Sequence, residues 1–105
     1  MKETAIRKKA IELLEKDHWH CWFPKKVKYQ ETDVFGVFDI LAIKRSTIRW
    51  IQITSLSNIR ARERKIMSFL GKVKANLPWE VWGIRKDKTF KIIKNNDKPR
   101  KNIHR

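Results

Sequence analysis

Two apolar runs, Val37-Phe-Asp-Ile-Leu-Ala-Ile43 and Ile48-Arg-Trp-Ile-Gln-Ile-Thr54, flank the polar triplet Arg45-Ser46-Thr47. Both are of strand length and rich in β-branched and aromatic residues, and the triplet between them fits a hairpin loop. The first run is apolar almost without a break, as in strands covered on both faces. Antiparallel pairing of these runs, with material packed above and below, is the constraint around which the rest of the chain must fit.

The remaining segments supply that material. From Thr4 to about Lys16, Ile6, Ala10, Leu13 and Leu14 recur at helical spacing and predict an amphipathic helix. His18 to Pro24 alternates as a strand ended by proline, and Phe35-Gly36 marks a bend. Asn58 to about Asn76 predicts a second helix, with Ile59, Ile66, Leu70, Val73 and Leu77 as its inner stripe and Phe69 beside it. Ser57 or Asn58 can cap its start, and Leu77-Pro78 ends it. Trp79 to Arg85 and Thr89 to Ile93 form a terminal hairpin about Lys86-Asp87-Lys88. The expected order is α-β-β-β-α-β-β. A long helix between the third and fourth strands permits a parallel crossover, giving an α/β fold with a central mixed sheet flanked by helices. Residues 1–93 make one domain, and 94–105 a basic tail.

Charge narrows the partners. The 105 residues carry 26 Lys+Arg against 11 Asp+Glu, a formal net charge of +15. Such an excess favours a polyanion, most often nucleic acid. No apolar run approaches the roughly 20 residues of a membrane span, and the charged amphipathic N-terminus does not read as a secretory signal. The single Cys21 excludes an internal disulfide and packs as a small apolar side chain. A cytoplasmic setting, in a bacterium, an archaeon or a phage-infected host, is therefore expected. Lys25, Lys26 and Lys28, then Arg60, Arg64 and Lys65 on the second helix, and Lys98, Arg100 and Lys101 in the tail are the expected phosphate contacts. No zinc finger, basic zipper or RNA-recognition aromatic motif is present, so contact with the backbone of DNA, duplex or branched, is expected rather than base readout. His18 and His20 share a strand face as a wet edge, and Trp22 and Trp82 are the tryptophans expected to be exposed.

Polar residues inside the apolar runs carry the chemistry. Asp39 stands between Phe38 and Ile40, where a carboxylate is costly unless it is paired, hydrogen-bonded or bound to a cation. Gln52 stands between Ile51 and Ile53, on one strand face with Thr54. The midpoint between 39 and 52 falls at Arg45–Ser46, so the hairpin sets the two side chains opposite each other to within one residue. Glu3, at the start of the first helix's apolar face, is a potential third oxygen donor. Such oxygens suit Mg²⁺ or Mn²⁺. The plainer alternatives are that Asp39 caps the bend at Gly36, that Gln52 pairs with a backbone group and that Glu3 complements a helix N-terminus. Arg62, three residues after Ile59 and four before Ile66, falls on the inner side of the second helix. It either serves a site near Thr54 or reaches past the core to water or to Glu63.

A helix opening with Glu3, the segment Asp33-Val-Phe-Gly-Val-Phe-Asp39-Ile-Leu-Ala-Ile-Lys44 and the unit Ile51-Gln-Ile-Thr54 together resemble the PD-(D/E)XK nucleases. Among these, the likeness is to small archaeal-type Holliday junction resolvases and related phage and bacterial proteins, and it covers about residues 1–85. The resemblance implies a restriction-endonuclease-like fold for the domain. It implies Asp39 as the metal-binding strand carboxylate, Gln52 in the place of the second acid, the Ile53 carbonyl as a further ligand and Glu3 reaching the metal directly or through water. The reaction implied is hydrolysis of a DNA phosphodiester by a metal-activated water, and two cuts per junction imply a homodimer. The chain departs from the family at two places. Gln52 removes one negative charge, and Thr54 stands where the family has a lysine, for which Arg62 is the candidate substitute. A nucleic-acid-binding domain of the same fold without the chemistry is the second reading, and a small RNA-associated basic protein a third.

Overall fold

The apolar runs pair as the hairpin requires and organise a five-stranded sheet. The computed structural model describes residues 3–24 and 34–95. Its elements are α1 (Glu3–Lys16), β1 (His20–Trp22), β2 (Ile40–Lys44), β3 (Thr47–Ser55), a short 3₁₀ turn (Leu56–Asn58), α2 (Ile59–Val73), β4 (Trp79–Ile84) and β5 (Phe90–Lys94). The strands lie in the order β1-β2-β3-β4-β5. Neighbours are antiparallel except β3 and β4, which the α2 crossover leaves parallel. The fold is α/β with a mixed sheet, and no helix among the described residues is long and apolar enough to cross a membrane.

Each helix covers one sheet face. Ile6, Ala10 and Leu14 of α1 pack on Ile40, Ala42, Ile51, Ile53, Trp82 and Ile84. Ile59, Ile66 and Leu70 of α2 pack on the other face with Val37, Phe38, Trp79 and Val81. Gly83 lets α2 approach: a Cβ there would stand 2.5 Å from Ile59 Cδ1 and 3.2 Å from the Leu56 Cα. Gly83→Ala is therefore expected to cost about 1–3 kcal/mol by overpacking, read as a lower urea midpoint with an unchanged slope.

Several boundaries differ from the sequence expectation for local reasons. His18 is not in a strand: it takes a left-handed φ of 67° and ends α1, with its N–H donating to the Glu15 carbonyl. His18 and His20 thus do not share a strand face. Val37 and Phe38 lie in a tight turn, closed by the Val34 N–H on the Phe38 carbonyl and the Phe38 N–H on the Val34 carbonyl. Phe35 and Gly36 make that turn at φ 55° and 73°. α2 stops at Val73, short of Asn76, because Lys74 adopts the left-handed cap. Leu13 is exposed, at 47%, because it lies off the line that faces the sheet, and Val73 is exposed, at 50%, as the last residue of α2.

Trp82 is buried rather than exposed, because α1 covers its face of β4. Its Nε1–H donates to Glu80 Oε1 at 2.9 Å. Glu80 in turn receives Arg49 through two bonds of 2.7 and 2.6 Å, and the Arg49 guanidinium lies 4.9 Å from the Trp19 ring centroid. Trp22 is exposed as expected. Cys21 packs against the α1-side core, and burial, with Glu15 nearby, pushes its thiol up from the usual value. In the β4–β5 turn, the Asp87 carboxylate accepts the Thr89 hydroxyl at 2.6 Å and the Thr89 N–H at 3.1 Å, which holds it below the ordinary range.

Candidate functional site

The hairpin register builds the site. A two-residue turn, Arg45–Ser46, joins β2 to β3, and Arg45 supplies the left-handed φ of 60°. The ladder then pairs Lys44 with Thr47 and, at its far end, Ile40 with Ile51. One step further, the Asp39 N–H donates to the Ile51 carbonyl at 2.8 Å. Asp39 thereby falls opposite Gln52, as the midpoint at Arg45–Ser46 requires.

The two side chains meet. Gln52 Nε2 donates to Asp39 Oδ2 at 2.8 Å, and the Ile53 N–H donates to the same oxygen at 2.8 Å. Gln52 Nε2 also lies 3.3 Å from the Ile53 carbonyl oxygen. Asp39 is 1% exposed and Gln52 3%. β2 ends as a regular strand at Ile40, and the Asp39 carboxylate takes over as acceptor for the next N–H of β3. Gln52 Oε1 is buried and has no hydrogen-bond partner among the described residues. An unsatisfied buried acceptor costs about 1–3 kcal/mol. Reversing the amide would satisfy nothing, because it would press Oε1 against Asp39 Oδ2 and the Ile53 carbonyl.

The other expected site residues are dispersed. Thr54 is buried on the Gln52 face, opposite Gly83 of β4. It brings a hydroxyl and no charge. Ile53 points its side chain into the α1-side core, leaving its backbone to the site. Glu3 opens α1, which packs on the sheet face opposite Gln52 and Thr54; its side chain lies outside the described residues. Arg62 is half-buried, one residue off the inner line of α2, and makes no hydrogen bond to Gln52 or Thr54 among the described residues. Glu63 occupies the inner position instead, at 5% exposure between Ile59 and Ile66.

Comparison of the chain with protein-family models, with curated proteins and with solved structures finds no match.

Among the expected phosphate contacts, Arg60, Arg64 and Lys65 are exposed on α2. Lys25, Lys26, Lys28, Lys98, Arg100 and Lys101 lie outside the described residues. A cleft of about 610 Å³ beside the start of α2 joins Arg60 to Arg85 and Lys91, with Ser57 and Glu63 in its lining. Arg85 and Lys91 are not among the expected phosphate contacts, and Glu63 is expected only as a partner for Arg62. The 59, 63, 66, 70 spacing carries the signal for Glu63, and the β4–β5 hairpin that brings Arg85 and Lys91 together carries it for the two cations.

The donor set suits a hard divalent cation. Asp39 supplies a carboxylate and Ile53 a carbonyl, while Gln52 turns Nε2 toward both and would supply its amide oxygen only with the amide reversed. All are oxygen ligands of the kind that Mg²⁺ or Mn²⁺ takes alongside water. No group of three or more His, Cys, Asp or Glu that could hold a metal occurs among the described residues, so a cation here would rest on one carboxylate and two neutral oxygens.

Proposed function

We propose that the chain is a metal-dependent DNA endonuclease of the PD-(D/E)XK type, with a restriction-endonuclease-like core. The observation that carries this reading is the buried Asp39 set against Gln52 and the Ile53 backbone at the end of the β2–β3 hairpin. The order of one helix, three strands, a crossover helix and a parallel fourth strand supports it, as does the net charge of +15. Asp39, the Gln52 amide oxygen and the Ile53 carbonyl would hold Mg²⁺ or Mn²⁺, and Glu3, which opens the helix on the other sheet face, is left out of the set. Such an ion, when bound, supplies a water of lowered pKa and polarises the phosphate. The chain's own residues fix the donors. The Ile53 N–H steers the Asp39 carboxylate, and the two-residue turn fixes the register that aligns Asp39 with Gln52. Arg60, Arg64, Lys65, Arg85 and Lys91, with Lys25, Lys26 and Lys28, bind the DNA backbone, so that affinity falls as salt rises. A junction-cutting activity adds a homodimer and branched DNA to this reading.

The second reading, a DNA-binding domain without cleavage, is favoured by one observation: an amide nitrogen, not an oxygen, faces Asp39 Oδ2 and the Ile53 carbonyl. The two separate on linear, nicked and four-way DNA with Mg²⁺ or Mn²⁺. The endonuclease cuts at least one of these, and Asp39→Asn reduces cutting to background while DNA binding is kept. Asparagine is chosen because its carbonyl still accepts the Ile53 N–H, so loss of activity is not loss of fold. Binding without cutting under either metal supports the second reading. Full cleavage by the variant means the site lies elsewhere.

A further inference from the structure

We propose that the Gln52 side-chain amide is a latch that competes with a cation for the space between Asp39 and the Ile53 carbonyl. The inference rests on the reading of Asp39, Gln52 and Ile53 as a cation site. It adds what holds that site together when no cation is there, and what must move when one enters.

The geometry has one donor group between two acceptors. Gln52 Nε2 reaches Asp39 Oδ2 at 2.8 Å and the Ile53 carbonyl at 3.3 Å. An NH₂ group has two hydrogens, one for each acceptor. It therefore does for these oxygens what a cation would do, placing positive charge density between them. The cost appears at the other end of the amide, where Oε1 is buried without a hydrogen-bond partner among the described residues. Turned the other way, the same amide puts Oε1 beside two more oxygens, an arrangement that a cation among the three, or a proton on Asp39, relieves. Nitrogen inward thus belongs to the cation-free protein and oxygen inward to the cation-bound one. The two ends of one terminal amide exchange places by rotation about a single bond, with no movement of β2 or β3.

The same geometry separates glutamine from glutamate at this place. A glutamate in place of Gln52 would set two carboxylates face to face inside an apolar sheet and call for a cation or a proton at all times. Gln52 instead brings no second negative charge to Asp39 and donates an N–H to it.

Two measurements test the latch. In wild-type protein labelled with ¹⁵N, the Gln52 NH₂ resonances are followed as Mg²⁺ is added to millimolar concentration. The expected result is that they move from hydrogen-bonded toward unbonded shifts in step with the Ile53 amide. Melting temperature is then compared for wild type and Gln52→Glu, with and without Mn²⁺. The variant is expected to melt lower than wild type without the ion and to gain several degrees more from it, and the gain is expected to vanish when Asp39→Asn is added. Mg²⁺ binding at Asp39 with the Gln52 NH₂ unmoved would overturn the latch. So would a Gln52→Glu protein that responds to Mn²⁺ no more than wild type. A wild type that ignores the ions, beside a Gln52→Glu protein that takes them up through Asp39, supports the latch and removes cation-dependent cleavage from the wild-type chain. The cleavage assay and the latch can therefore fail separately.

Discussion

Glu80→Ala is expected to lower the unfolding free energy by about 3–5 kcal/mol, the cost of stranding one partner of a buried ion pair. The side chains of Arg49 and Glu80 are 17% and 7% exposed and meet through two bonds of 2.6 and 2.7 Å. Removing the carboxylate leaves a guanidinium enclosed by the Trp19 and Trp82 rings, at 4.9 and 5.6 Å from their centroids. It also leaves the Trp82 indole N–H without its acceptor. A domain of this size has roughly 5–15 kcal/mol in hand, so the loss is a large share of the whole. Urea denaturation reads it directly. The double variant Arg49→Met/Glu80→Leu is expected to lie close to wild type, because removing both charges also removes the desolvation that opposes them. A single variant that loses less than about 1 kcal/mol would mean that water screens the pair as it does at a surface.

Phe38→Ala is expected to cost about 3–5 kcal/mol by opening a cavity in the α2-side core. Phe38 is fully buried, its ring centroid is 5.6 Å from that of Trp50, and it belongs to the cluster with Ile59, Ile66, Leu70 and Val81. The residue also closes the turn onto Val34 and immediately precedes Asp39. Those turn bonds run backbone to backbone and survive the substitution, so the loss is one of packing. Phe38→Leu, which keeps most of the volume, is expected to recover the larger part of the stability in the same urea experiment.

The pairing of Asp39 with Gln52 is legible in the sequence because a short turn leaves little freedom. Once Arg45–Ser46 is the turn, the register follows, and a slip of one residue would send Gln52 to the α1 face among isoleucines. The start of β2 is not legible. Val37 and Phe38 have strand composition, but Phe35 and Gly36 at positive φ fold them back on Val34, so their burial comes from a turn. The inner residue of α2 is close to a tie. Position 62 is three from Ile59 and four from Ile66, position 63 the reverse, and helical spacing barely separates them. The structure turns Glu63 inward beside Arg60, Arg85 and Lys91, cations that sequence spacing does not bring together. Trp82 defeats the pattern because alternation marks an outer face only where one exists, and here helices cover both faces of β4.

The parallel pairing of β3 with β4 orders events in time. Asp39 and Gln52 are separated by 13 residues across a two-residue turn, a distance that a hairpin closes in about 1–10 μs. Trp50 meets Trp79 across a separation of 29 residues, and such non-local pairings set the pace of folding. Asp39, Gln52 and Ile53 thus lie in the segment that can assemble first, and the crossover that completes the sheet closes around them afterwards.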